Sequence, residues 1–76
     1  MEELLVWIAR GLVDEPEAVR VERIDEGDTL VLRLHVAEGD IGKVIGRHGR
    51  VARALRTVVR SAGARVDRRL VLEIAD

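Results

Sequence analysis

The stretch that decides the fold of this 76-residue chain is IGKVIGRHGR, residues 41–50. Gly46 and Gly49 flank two basic residues there, and aliphatic residues precede the first glycine. Glycine has no Cβ and adopts positive φ angles readily, so the pattern predicts a tight turn where another part of the backbone can approach closely. A helix that starts after this turn directs its free N–H groups outward, which is an arrangement suited to a phosphate group.

Apolar periodicity predicts a helix on each side of this turn. The first helix is short, at residues 41–45, and Asp40 precedes it as a candidate N-cap. The second helix covers about residues 50–62, and Gly63 is predicted to end it. A helical wheel separates an apolar side from a basic side. The apolar side comprises Val51, Leu55, Val58 and Ala62, with Val59 at its margin, and the basic side comprises Arg53, Arg56 and Arg60, with Arg50 alongside.

The remaining apolar pattern predicts one more helix and three strands. The helix covers residues 3–13 and ends before Pro16, which cannot continue it. Alternating apolar residues predict strands at 18–24 and 29–36, and the DEGD turn signal between them makes these strands an antiparallel hairpin. A last strand follows at residues 70–75.

The resulting order is helix, strand, strand, helix, helix, strand, with no linker or repeat, which predicts a single domain over residues 1–76. Three amphipathic strands must bury one face under the helices, so we expect an α/β protein built as an α+β two-layer sandwich. The two helices between the second and third strands allow a right-handed crossover and parallel pairing. The three-stranded sheet is therefore predicted to be mixed.

Composition excludes several classes of function. The chain has no cysteine and two histidines, which are too few for a thiolate or all-histidine zinc site, so we expect no metal and no cofactor. Trp7 is the only aromatic residue, which argues against modules that stack bases on exposed rings. No apolar run is long enough to span a membrane, and acidic residues stand where a signal peptide needs basic ones. We therefore expect a cytoplasmic protein without membrane contact.

Charge is divided unevenly along the chain, although the net charge is only −1. Residues 41–66 contain seven basic residues and no acidic one, whereas the rest of the chain contains six basic and fourteen acidic residues. Such a block predicts a surface that binds an anion, and its extent along a helix favours a polyanion over a single phosphate. Arg56 and Arg60 lie farther from the glycine turn and fit a solvated helix face at least as well.

Other glycine-rich phosphate loops and common catalytic patterns do not match. A Walker A loop needs Ser or Thr after Gly-Lys, whereas Val44 follows Lys43, and Ala37 stands where its first glycine belongs. The dinucleotide fingerprint G-x-G-x-x-G is absent. Ser61 and His48 belong to separate predicted elements, without an obvious acidic partner. We therefore expect no enzymatic activity.

The string VIGRHG between two short helices resembles the GXXG loop of a KH domain, which clamps about four backbone nucleotides. The order of elements resembles the type II arrangement of that fold. The phrases LVDEPEAVRVE, IGKVIGRHGRVARALRTVVR and VLEI resemble small bacterial RNA-binding proteins that consist of one KH domain, of the KhpA or YlqC type. The resemblance covers the chain from Leu4 to Ile74.

This resemblance implies roles for individual residues. Gly46 and Gly49 would shape the loop, and its two central residues would contact phosphates, partly through their backbone amides. Ile41, Val44 and Ile45 would line an aliphatic groove opposite an edge strand, where bases bind without aromatic stacking. The RNA-binding residues predicted in this way are Ile41, Lys43, Ile45, Gly46, Arg47, His48, Gly49, Arg50 and Arg53.

The function implied is the binding of short single-stranded RNA, as an RNA chaperone or a post-transcriptional regulator. The alternative is a protein-interaction adaptor that uses the KH fold with little direct RNA contact. The resemblance also implies a homodimer, or a heterodimer with a second KH protein of the Jag (KhpB) type. Trp7 fits either a core or an interface position, and its exposure would indicate a protein contact through the first helix.

Overall fold

The structure, a computed structural model, describes residues 1–75. Its elements follow the predicted order. The helices are α1 (Glu2–Leu12), α2 (Ile41–Ile45) and α3 (Arg50–Arg65), and the strands are β1 (Arg20–Glu26), β2 (Thr29–His35) and β3 (Arg69–Ile74). Short 3₁₀ turns cover Pro16–Ala18, Glu38–Asp40 and Arg47–Gly49.

The three strands form one mixed sheet in the order β1–β2–β3, as the sequence predicts. β1 and β2 are antiparallel, and the two-residue turn between them begins with Gly27 at a φ of 76°. Glycine occupies this position of a hairpin turn without strain. β2 and β3 pair in parallel, with Leu30 beside Leu70. β2 is therefore the central strand, and β1 and β3 are the edge strands.

One face of the sheet carries the core. Leu30, Leu32 and Leu34 of β2 are buried on this face, beside Leu70 and Leu72 of β3. This alternation along β2 is the one that the sequence predicts, because successive side chains of a strand point to opposite faces. The helices cover these leucines with Leu5, Ala9, Val44, Leu55 and Val59.

The opposite face of the sheet is lined by charged and aliphatic side chains of the strands. The Arg33 guanidinium lies 3.6 Å from Glu22 Oε1 and 3.1 Å from Glu73 Oε1, so it bridges all three strands. Val31 stands in the next row of this face and is 9% exposed, since its neighbours in β1 and β3 are also aliphatic. This face is therefore stabilised by contacts between strands.

Several boundaries differ from the prediction by one or two residues. β1 lies two residues later than the predicted 18–24, because Pro16–Ala18 form a 3₁₀ turn and the strand continues to the hairpin turn. α1 begins and ends one residue earlier than the predicted 3–13. β3 begins at Arg69 and ends at Ile74, one residue earlier than predicted at each end.

α3 is longer than predicted and buries a different set of residues. The helix continues past Gly63 to Arg65, so the predicted end at Gly63 is wrong. Val58, which the helical wheel assigns to the apolar side, is 40% exposed. The buried side of α3 therefore includes Val59, which the wheel places at the margin, and leaves out Val58. The buried positions are Ala52, Leu55, Val59 and Gly63.

Gly63 permits the close approach of α3 to the chain that enters β3. A Cβ at this position would lie 2.4 Å from the Arg68 carbonyl oxygen and 3.0 Å from the Leu70 nitrogen. The Gly63 carbonyl accepts hydrogen bonds from the N–H groups of Val66 at 3.2 Å and Arg68 at 3.0 Å. The glycine therefore serves packing between helix and strand, and the helix continues through it.

We expect Gly63→Ala to destabilise the fold. The added methyl group must displace the Arg68 carbonyl, and overpacking of this kind costs about 1–3 kcal/mol. The higher helix propensity of alanine offsets at most about 1 kcal/mol of this loss in stability. The midpoint of urea unfolding, followed by circular dichroism, should therefore fall. Gly11→Ala in α1 is the matched control, because no heavy atom lies within 4 Å of the added Cβ. An unchanged midpoint for Gly63→Ala would contradict the close-packing explanation.

Candidate nucleic-acid interface

The turn at residues 46–49, called the GXXG turn below, takes its shape from positive φ angles. Gly46 has a φ of 77° and a ψ of 171°, and Gly49 has a φ of 73° and a ψ of 16°. His48 also lies in the left-handed region, with a φ of 57° and a ψ of 25°. The glycine spacing does not predict this third position, although histidine is among the non-glycine residues enriched in that region. Three of the four residues thus reverse the chain sharply between α2 and α3.

The two glycines are required for different reasons. A Cβ on Gly46 would lie 2.5 Å from Cγ2 of Val51 and 2.9 Å from its backbone nitrogen, so there is no room for a side chain. A Cβ on Gly49 would meet nothing within 4 Å, so only the positive φ favours glycine there. Gly46 therefore fixes how closely the end of α2 approaches the first turn of α3.

Hydrogen bonds hold the carbonyl groups of the turn inward. The Gly46 N–H donates to the Gly42 carbonyl at 2.9 Å, and the Gly49 N–H donates to the Gly46 carbonyl at 3.1 Å. The Arg53 guanidinium donates to the His48 carbonyl at 3.1 Å. The backbone N–H groups of Arg47 and His48 have no partner within residues 1–75. These two N–H groups remain available to an anion.

The basic side chains around the turn fall into two groups. Arg47, His48 and Arg50 are exposed, and within residues 1–75 none of their side chains forms an ion pair or hydrogen bond. They surround the N-terminus of α3, where the helix dipole adds positive potential. Arg53 is also exposed, but its guanidinium is bonded to the turn itself. Its position therefore fits a residue that supports the backbone of the turn.

Lys43 is already paired with two carboxylates. Its Nζ lies 3.1 Å from Asp14 Oδ2 and 3.4 Å from Asp40 Oδ1. The hydrogen bond to Asp14, followed by that to Asp40, raises the pKa of Lys43 above its usual value. The sequence predicts Lys43 as a ligand for RNA, whereas in the structure an anion would compete with Asp14 for this ammonium group.

Asp40 does not cap α2 with its side chain, so the predicted N-cap hydrogen bond is wrong. Its buried carboxylate instead accepts hydrogen bonds from the N–H groups of Asp14 at 3.2 Å and Glu15 at 3.0 Å. Burial tends to raise the pKa of Asp40, but these two bonds and Lys43 outweigh it and lower the pKa. Asp40 thereby links the connection after α1 to the start of α2. Local sequence patterns do not predict this hydrogen bond, because its two residues lie 26 positions apart in the chain.

The three aliphatic residues of α2 have different environments. Val44 is fully buried and belongs to the core, so its predicted place in an open groove is wrong. Ile45 is 38% exposed beside the GXXG turn. Ile41 is half-buried and lines a shallow groove whose other wall follows the ends of β2 and β3. That groove also includes His35, Val36, Glu38 and Ala75.

Two other kinds of feature are absent from the part of the chain that the structure describes. No group of three or more His, Cys, Asp or Glu residues within it could hold a metal ion. None of its helices is both long and apolar enough to cross a membrane.

The fold and the GXXG turn define a KH domain of type II. The turn joins two helices after the central strand, and the strand that follows them pairs in parallel with that central strand. The chain belongs to the KhpA/KhpB family of KH domains, whose family model matches residues 2–74. This membership confirms the resemblance inferred from the sequence. KH domains of this family are binding modules, in agreement with the expectation of no enzymatic activity.

Two relatives of similar length are both named RNA-binding protein KhpA. The RNA-binding protein KhpA of Clostridium acetobutylicum is 45% identical over 74 residues, which are 97% of this chain and 99% of that protein. The RNA-binding protein KhpA of Treponema pallidum is 48% identical over 75 residues, which are 99% of this chain and 94% of that protein.

One similarity to a solved structure concerns the fold. A crystal structure of a variant of Era from Aquifex aeolicus, bound to GDP and AlF4−, aligns with a TM-score of 0.61 at 20% identity. The aligned region covers 96% of this chain and 28% of the Era chain. At this identity the comparison supports the type II KH architecture alone.

We expect Asp40→Asn to lower stability at neutral pH and to approach the wild type in acid. Because the folded protein lowers the pKa of Asp40, its stabilising effect is present above the ordinary value of 3.8 and is lost as pH falls through the folded value. Asparagine has no carboxyl group to titrate. The urea midpoints of the wild type and of Asp40→Asn should therefore converge below about pH 4. Glu38→Gln, an exposed carboxylate in the same 3₁₀ turn, is the control. A constant difference at every pH would count against an ionised Asp40.

Proposed function

We propose that this protein binds short single-stranded RNA through the GXXG turn, as an RNA chaperone or post-transcriptional regulator in the cytoplasm. The observation that carries the proposal is the pair of unbonded N–H groups at Arg47 and His48, set among unpaired basic side chains at the N-terminus of α3. Backbone amides and a helix N-terminus bind phosphate without dependence on base sequence. Low sequence specificity follows from this arrangement.

The proposed RNA path uses the residues around the turn. Arg47, His48 and Arg50 contact phosphates, and Gly46 and Gly49 let the RNA backbone approach. The aliphatic residues Ile41, which is half-buried, and Ile45, which is exposed, supply apolar surface for bases beside the clamp. Arg53 supports the turn through the His48 carbonyl. The relatives named RNA-binding protein KhpA support this proposal.

A second proposed role is protein association through α1. Trp7 is 74% exposed, Leu4 is 47% exposed and Leu12 is 38% exposed, all on this helix. Exposed apolar side chains grouped on one element favour a protein contact. We propose that this surface serves a homodimer, or pairing with a second KH protein of the Jag (KhpB) type. An adaptor with little RNA contact would use the same surface.

The first test compares Arg47→Asp/His48→Asp with the wild type by fluorescence anisotropy. The probe is a labelled oligouridine of about 12 nucleotides, measured across a salt series. For the wild type, the slope of log affinity against log salt concentration should correspond to a few phosphate contacts. The double variant should lose binding while it remains folded. Each lost phosphate contact should flatten the slope by about 0.7.

Arg10→Asp/Arg20→Gln is the control for this test. It makes the same change in charge at exposed residues of α1 and β1. This control should bind RNA nearly as well as wild type. Equal and weak binding by all three proteins would refute the RNA clamp and favour the adaptor role of α1.

Asp14 is expected to weaken RNA binding by holding Lys43. Asp14→Asn should raise affinity for the same RNA by about two- to fivefold, the range of an exposed ion pair, and steepen the salt slope by up to about 0.7. The bond to Asp40 should survive, because Asp14 donates it from its backbone N–H. Glu15→Gln changes the net charge equally at the adjacent exposed residue and is the matched control. The same small gain in both variants would show a general charge effect and no competition for Lys43.

A further inference from the structure

A cleft opens between α1 and α3 at the end of α3 that lies away from the GXXG turn. α1 packs on β1 and α3 packs on β3, while α2 contacts both of these helices beside the turn. Beyond α2 the space between α1 and α3 stays open above the start of β2, with a volume of about 550 Å³. This space is called the α1–α3 cleft below. Residues 50–65 of α3 span about 22 Å of helix axis, so the cleft is separate from the GXXG turn.

The lining of the α1–α3 cleft is mainly apolar. Leu30 and Leu70 of the sheet are buried and form its floor. Leu4 of α1 is 47% exposed on one wall, and Val66, directly after α3, is 66% exposed on the other. Ala62 lies one helical turn before Val66 and adds only a methyl group to that wall. Apolar side chains that remain exposed above an apolar floor favour a ligand with an apolar body.

The charged residues at the rim of the cleft leave one cation without a partner. Arg23 Nη1 lies 2.9 Å from Glu2 Oε2, and Arg68 Nη2 lies 2.6 Å from Asp25 Oδ1, so both of these arginines are already paired. Arg65 also lines the cleft, is exposed, and forms no ion pair or hydrogen bond within residues 1–75. The rim therefore presents a single uncompensated positive charge to a ligand.

The ligand that matches this lining has an apolar body and one anionic head group. A guanidinium binds a carboxylate through two parallel hydrogen bonds. The volume of about 550 Å³ lies within the usual range of small-molecule pockets, about 300–1,000 Å³. A nucleic acid needs a cation for each of several phosphates, and an acidic protein segment presents several carboxylates, whereas the cleft offers one unpaired arginine. The cleft therefore favours a small amphiphilic anion over either macromolecule.

We propose that the α1–α3 cleft binds an aliphatic monocarboxylate of the size of a medium-chain fatty acid. Arg65 binds the carboxylate, and the alkyl chain lies over the leucine floor between Leu4 and Val66. The site does not overlap the GXXG turn, so this ligand and RNA bind to the protein at the same time. Because the site exists only in the folded protein, the ligand also stabilises the fold.

The test titrates decanoate, kept below its micelle concentration, into isotopically labelled protein and follows the backbone amide signals by NMR. Octanoate tests the contribution of the alkyl chain. Decyltrimethylammonium has the same chain as decanoate but a positive head group, so it tests the contribution of charge. The variants are Arg65→Gln and Val66→Asp, and circular dichroism verifies that each is folded. Arg60→Gln is the matched control, because Arg60 is an exposed arginine of the same helix that does not line the cleft.

The expected result is saturable binding of decanoate that depends on both its chain and its charge. Wild type and Arg60→Gln should show shifts confined to the cleft, without changes at the GXXG turn. Octanoate should bind about tenfold more weakly, because two buried methylene groups are lost at about three- to fourfold each. Arg65→Gln should weaken decanoate binding about two- to fivefold, the range of an exposed ion pair. Val66→Asp should weaken it further, and decyltrimethylammonium should bind the wild type less tightly than decanoate does.

Several results would overturn the inference. No saturable shift with decanoate would refute the site, and shifts centred on Trp7 would place the ligand on α1 outside the cleft. Equal affinities of Arg65→Gln and Arg60→Gln, or binding of decyltrimethylammonium as tight as that of decanoate, would remove the role of Arg65.

Other occupants of the cleft have signatures of their own in the same experiment, and each would also overturn the inference. Shifts of the cleft signals when the protein alone is diluted would assign the cleft to a second copy of the chain. Displacement of decanoate by an oligouridine would assign it to nucleic acid, and tighter binding of an acidic leucine-rich peptide would assign it to a partner protein. Failure of RNA to bind at the GXXG turn, measured separately by fluorescence anisotropy, would refute the proposed function and leave the cleft site standing.

Discussion

Gly46 lies so close to the first turn of α3 that a Cβ on it would stand 2.5 Å from Cγ2 of Val51. This contact sets the angle at which α2 and α3 meet, and both helices pack on the sheet from that angle. Val44, two residues before the glycine, is fully buried, and so is Val59 of α3. If a side chain at position 46 held α2 and α3 apart, Val44 or Val59 would be displaced from the core. The shape of the functional turn and the packing of the core therefore depend on the same few atoms.

The distribution of charge in the fold explains how a chain of net charge −1 can present a basic surface. Within residues 1–75, four acidic residues pair with basic side chains away from the GXXG turn, among them Glu22 and Glu73, which both lie beside Arg33 on the sheet. Near the turn, Asp14 and Asp40 pair with Lys43. The arginines that follow along α3 have no such partners among the described residues. The isoelectric point averages these regions and therefore hides the difference between them.

The sequence predicts the order of elements, the mixed sheet and the glycine turn because each depends on local patterns. Alternating leucines on β2 and the glycine spacing of the turn are visible over a few residues. The errors have a different origin. In the sequence, Gly63 has the pattern of a helix end. In the structure it is an interior helix residue, because the chain that enters β3, later in the sequence, packs against it. Asp40 reads as an N-cap, whereas its partners lie 25 and 26 residues earlier.

The parallel pairing of β2 with β3 also has a consequence for the order of folding. Leu30 and Leu70 are neighbours in the sheet although 40 positions separate them in the chain, whereas the hairpin of β1 and β2 needs only a two-residue turn. Closing a long connection costs more chain entropy than closing a hairpin, so β3 joins a sheet whose hairpin can form first. The GXXG turn lies inside that long connection. On a ribosome, its residues are synthesised before β3, so the core that α2 and α3 share with Leu70 and Leu72 is complete only after the last strand has emerged and docked.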